Sequence, residues 1–127
     1  MVGYMGDIME TKEFERIAVC CVLSDILKEI KTNIPLKDYR HYQTLKEKVG
    51  FTEQDFETAS SVSVLSSLVT LKSMHYNKKM LLALTICDIY SECTDITLHH
   101  RIAFDTLMSA IEWTISFSEI LAISRME

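Results

Sequence analysis

The residues of this chain best suited to chemistry crowd into one stretch, from Asp88 to His100. Asp88 and Glu92 stand four apart, a spacing that puts them on one face of a helix, and Asp95 follows in the loop beyond. Three carboxylates converging there would suit calcium or magnesium, which take oxygen ligands. The same spacing serves equally well as a solvated helix end, with Asp95 near the positive start of the next helix. Cys93 with His100 is a softer alternative for a transition metal. His99 and His100 point about 100° apart on a helix, so only one of them could join Cys93. Asp25 and Glu29 repeat the four-residue spacing in the first half, but Lys28 and Lys31 beside them would compete with a cation. His41 and His75 have no acid or nucleophile at a meaningful spacing, so no hydrolytic triad and no catalytic residue is expected.

Other groups read more simply as structure. Cys20, Cys21, Cys87 and Cys93 show no C-x-x-C spacing. Cys20 and Cys21 lie in the apolar run IAVCCVL, where a thiol behaves as a small hydrophobe, as expected of core thiols in a reducing cytosol. Lys37, Arg40, His41, Lys46 and Lys48 alternate with Tyr39 and Tyr42, but Asp38 and Glu47 dilute this basic face. A solvated face with its tyrosines turned inward is expected. The net charge of −5 argues against phosphate-backbone binding as the main activity, since that needs a concentrated basic surface.

The elements that must position these groups are helices. Three glycines and one proline in 127 residues cannot supply the tight turns of a β-sandwich or barrel. Apolar periodicity predicts a central helix from about Thr11 to Lys31, a second from Pro35 to Val49 ended by Gly50, and a third from Thr52 to Ser73. Thr52 with Asp55 forms a capping-box pattern, and Phe51 with Phe56 stands at the positions of a hydrophobic staple. The serines between 60 and 67 would let neighbouring helices approach closely. Asn77, Thr97 and Thr114 are expected to cap three further helices. An apolar stripe of Trp113, Phe117, Ile120, Leu121 and Ile123 is expected to pack on the first helix, or to form a partner surface if exposed. The start MVGYMGDIMETKEFER has neither the basic opening nor the apolar core of a signal peptide. The uncharged run Thr58 to Leu71 is too short to span a bilayer, so neither export nor a transmembrane segment is predicted.

Two halves of the sequence match at a constant offset. One shift pairs Thr32 with Thr94, Ile34 with Ile96, Leu36 with Leu98, Thr44 with Thr106, Leu45 with Leu107 and Thr52 with Thr114. Tyr42/Phe104, Val49/Ile111 and Phe51/Trp113 are similar pairs. One residue of slippage upstream brings Asp25-Ile26-Leu27-Lys28-Glu29 onto Asp88-Ile89-Tyr90-Ser91-Glu92. Because capping and loop positions match, the pattern reads as a duplicated helical unit, covering about residues 12–60 and 75–123.

The unit resembles the TerB-like, tellurite-resistance-associated helical domains, in which an apolar helix leads through A-D-G-x-I-[S/T]-x-x-E into the next helix. The helix entries are Ile34-Pro35-Leu36-Lys37-Asp38 and Ile96-Thr97-Leu98-His99-His100. Where the pattern has D-G, this chain has Lys31-Thr32 and Cys93-Thr94, and its final glutamate is replaced by Asp38 and His100. The resemblance implies the fold and an association with stress resistance or envelope-linked complexes. With only Asp38 matching an acid, it implies no carried-over metal site.

The sequence therefore predicts a single all-α domain over residues 1–127, a compact bundle of about six or seven helices in two pseudo-repeated halves. The expected role is a cytoplasmic, non-enzymatic interaction or scaffold module binding a protein partner or a second copy of itself, with no resident cofactor. The alternatives are a metal-responsive domain, using Asp88, Glu92 and Asp95 or Cys93 with His100, and a small-molecule enzyme with a pocket between the halves.

Overall fold

The computed structural model describes residues 12–30, 34–92, 98–113 and 115–126. Among the described residues there are seven α-helices, one 3-10 turn and no strand. The all-α bundle expected from the shortage of turn formers is thus the observed fold. The helices are α1 (Glu13–Glu29), α2 (Tyr42–Val49), α3 (Glu53–Ala59), α4 (Val64–Leu71), α5 (Tyr76–Ser91), α6 (Leu98–Ala110) and α7 (Phe117–Met126), with the 3-10 turn at Leu36–Asp38.

The two long helices, α1 and α5, carry the core. Every residue from Ala18 to Leu23 is buried on α1, and Leu82 to Cys87 are buried on α5, as sequences apolar nearly all round require. Around them α1 packs mainly on α4 and α3, while α5 packs on α2 and α7. The C-terminal stripe buries Phe117 and Ile120, with Phe117 edge-on to Phe104 at 5.3 Å between ring centroids. It lies on α5 and α6 rather than on the first helix, which corrects the packing expected of it. The Phe117 N–H donates to Asp105 Oδ1 at 2.8 Å, which fixes the start of α7 to α6.

Two predicted helices are broken. The segment 52–73 divides at Ser60–Ser63 because its serines bond to the backbone there. Ser60 and Ser61 hydroxyls donate to the carbonyls of Glu57 and Thr58, and Ser63 accepts from the Ser66 N–H to cap α4. The segment 35–49 divides into the 3-10 turn and α2. Between them Tyr39 turns extended and is buried, and the His41 N–H bonds to the distant Asp88 carboxylate.

Helix ends follow local chemistry. Thr52 and Asp55 form the predicted capping box, and Phe51 meets Phe56 edge-on at 5.5 Å. Buried Asp55 also takes the Arg16 Nε at 3.2 Å, tying α3 to α1. His75, not Asn77, caps α5, its Nδ1 accepting the Asn77 N–H. Ser116 and Glu119 exchange capping bonds at the start of α7; Thr97 and Thr114 lie outside the described residues. Gly50 ends α2 in the left-handed conformation, at φ 83°. Glu112, the counterpart of Gly50 at the offset of the two halves, holds φ 56° at the end of α6. There Trp113 N–H bonds to Met108 O and Glu112 N–H to Ser109 O, the paired bonds of a Schellman turn.

Buried Lys79 joins two further helix ends. Its Nζ donates to Lys72 O and to Ile111 O, each at 2.7 Å. A cation is favoured there because unpaired carbonyls give a helix C-terminus negative character. One ammonium thereby holds the ends of α4 and α6 together.

Candidate functional site

The carboxylates singled out in the sequence meet a partner that spacing could not reveal. His41 Nδ1 lies 2.8 Å from Asp88 Oδ2, and the His41 backbone N–H donates to the same oxygen at 3.0 Å. Both side chains are nearly buried. Asp88 and Glu92, with Asp38, line a polar cleft of about 290 Å³ between the 3-10 turn and α5. Arg40 also borders it and donates from Nη1 to Ser124 O, satisfying a carbonyl in the last turn of α7. The result is a polar seam that anchors the 3-10 turn and α2 to α5 and α7.

The remaining metal candidates are dispersed or undescribed. His100 stacks on Tyr90, with ring centroids 5.3 Å apart. Cys93 and Asp95 lie outside the described residues. Among the described residues, no group of three or more histidine, cysteine or acidic side chains is placed to hold a metal ion.

The described thiols belong to the core. Cys20, Cys21 and Cys87 are buried and free of disulfides. Burial pushes the Cys20 thiol up to about 12, with Asp55 and Cys21 adding to the effect and Arg16 opposing it. Burial also raises Cys87, against a hydrogen bond from Ser91 that lowers it. A thiol held neutral in this way is a poor nucleophile. Tyr39 and Tyr42 are buried while Lys37, Arg40, Lys46 and Lys48 are exposed, so the basic-aromatic stretch is a solvated face with its rings turned inward.

A different surface stands out. Leu65 and Val69, one turn apart on α4, are 74% and 64% exposed; Leu98 and Ile102, one turn apart on α6, are 71% and 55% exposed. These helices touch. Between them opens a groove of about 300 Å³, walled by Val64 and Leu68 from α4 and by Ala103 and Leu107 from α6, with Val22 and Ile26 of α1 also lining it. Leu65 stands three residues from Leu68 on α4 and Ile102 four residues from Thr106 on α6, so on each helix an exposed apolar side chain lies beside one that lines the groove. Sequence reading missed this face because an amphipathic helix that packs on a neighbour and one that leaves part of its stripe uncovered have the same pattern. The signal was the width of the stripe: α4 reads VLSSLVTL, with apolar residues reaching too far round for one contact.

No helix of the described residues is long and apolar enough to cross a membrane. Comparison of the chain with protein-family models, curated proteins and solved structures finds no match. The class defined is therefore that of the fold, an all-α bundle.

Proposed function

We propose that this chain is a non-enzymatic, cytoplasmic interaction module that binds a protein partner through the face formed by α4 and α6. The observation that carries the reading is the pair of exposed apolar turns, Leu65 with Val69 and Leu98 with Ile102, on adjoining helices. Single exposed hydrophobes need no explanation, but exposed pairs one turn apart on each of two touching helices are candidates for a binding surface. The polar groups nearest to an active-site arrangement, His41 and Asp88, are bonded to each other and serve the packing of α2 on α5.

The same reading holds the two halves to be copies of one TerB-like unit. Its support is the left-handed residue at matched positions, Gly50 and Glu112, and the match of α1 to α5 once the single-residue slippage is allowed. A divalent cation at Asp88 and Glu92 is the second reading. It is favoured by their sharing a cleft with Asp38, and weakened by the engagement of Asp88 with His41. Calorimetric titration with calcium, magnesium and zinc that gives no heat removes it.

The interaction reading is tested by placing a photo-cross-linking residue in cells at Leu65 or Ile102, and at Lys46 as the control. A discrete adduct from the first two positions but not the third supports the reading. Equal labelling at all three, or none, contradicts it.

A further inference from the structure

Asp25 on α1 and Asp88 on α5 occupy corresponding places, on helices that begin at matched positions and run nearly the same length. Their surroundings differ. Asp88 is met by the backbone and the ring of His41, and α2 packs closely on α5. The residue that corresponds to His41 at the offset of the two halves is Ala103 on α6. Ala103 brings no donor to Asp25, and α6 makes its main contacts with α4 and α7 instead of α1.

The space left by that missing contact is the α4–α6 groove, and Asp25 and Glu29 lie on its wall. Neither carboxylate makes a hydrogen bond or ion pair among the described residues, and the neighbouring Lys28, exposed on the same helix, pairs with neither of them. The groove thus combines an apolar trough, an exposed apolar neighbour on each flanking helix (Leu65 and Ile102), and two acids one turn apart. Resting on the proposed interaction role, we infer that this groove receives an amphipathic helix from a partner protein, whose apolar face fills the trough. A lysine or arginine at one end of that helix pairs with Asp25 and Glu29.

The charge follows from desolvation. Docking a helix over Asp25 and Glu29 strips water from two carboxylates, which a neutral or acidic helix leaves uncompensated and a basic one pairs. The apolar spacing follows from the groove, since helices that bind troughs present residues at i, i+3, i+4 and i+7. A second copy of this chain, itself acidic overall, is the less complementary occupant.

The test is selection from a display library of amphipathic helices of about four turns. Their apolar positions follow the i, i+3, i+4, i+7 pattern, and every other position is drawn from Lys, Arg, Glu, Gln and Ser. Recovered helices are expected to carry Lys or Arg toward one end. In fluorescence anisotropy they lose about tenfold or more in affinity for Asp25→Asn combined with Glu29→Gln, and for Ala103→Trp, which fills the trough. The double carboxamide variant changes little volume, so it keeps the test decisive if Ala103→Trp fails to fold. Helices with no basic preference overturn the inference. Helices that bind both variants as tightly as the parent overturn the groove, and recovery of no helix overturns the helical partner; either outcome leaves the interaction role to its own cross-linking test. Self-association of the parent that Ala103→Trp abolishes assigns the groove to a second copy and overturns the partner helix.

Discussion

The imidazole of His41 and the carboxylate of Asp88 meet at 2.8 Å across 47 residues of sequence, and the backbone of His41 donates to the same oxygen. Asp88→Ala removes the acceptor for both bonds, whereas His41→Ala removes only the ring. Asp88→Ala is therefore expected to lower stability by about 3 kcal/mol, and His41→Ala by roughly half as much. Urea denaturation of the two single variants and the double variant measures this. Additive losses would mean that the pair is not coupled.

Lys79 gives a second check on how the bundle closes. Lys79→Met keeps most of the side-chain length and removes the donor to Lys72 O and Ile111 O, leaving two carbonyls at helix ends short of a partner. A loss of about 2 kcal/mol is expected. A variant as stable as the parent would show that water replaces the ammonium without cost.

Glu112 bears a cost that Gly50 does not. A non-glycine residue in the left-handed region is disfavoured by about 1 kcal/mol, and the Lys72 pair of Glu112 is too exposed to offset it. Glu112→Gly should raise the melting temperature, while Gly50→Ala should lower it although a Cβ there meets nothing within 4 Å. Thermal melts of both variants test the matched helix ends, and a fall for Glu112→Gly contradicts the assigned backbone.

Alkaline pH should loosen the fold through groups that it holds neutral. Burial raises Cys20 to about 12 and also raises Cys87 and Tyr42. The unfolded chain begins to release these protons near its ordinary thiol range, roughly pH 8.5–9, while the folded chain keeps them. Their stabilisation is whole below that range and is lost as pH rises toward the folded values. Melting temperature should therefore fall steadily above about pH 9, and less steeply in Cys20→Ala. Identical profiles for parent and variant would contradict this.

The helical character of the fold was legible because periodicity and caps are local: Thr52 with Asp55, Phe51 against Phe56 and Gly50 at its turn all follow from neighbours in sequence. The break at Ser60–Ser63 was not, because serines that allow close packing and serines that bond the preceding carbonyls are spelled alike. The 3-10 turn and the His41–Asp88 contact depend on how α5 lies against residues 36–42, which no spacing rule encodes. Asp88 stands out in the sequence for its spacing to Glu92, yet its observed bonds go to His41. The groove was least legible, since it arises from a packing contact that α2 makes with α5 and α6 does not repeat with α1.

The central claim, that the fold leaves apolar side chains of α4 and α6 uncovered, is tested most directly by the stability of one variant. It carries Leu65→Gln, Val69→Gln, Leu98→Gln and Ile102→Gln together. If these side chains face solvent in the free protein, its unfolding free energy in urea stays within about 1 kcal/mol of the parent. A loss of several kcal/mol would place them in the core and contradict the claim.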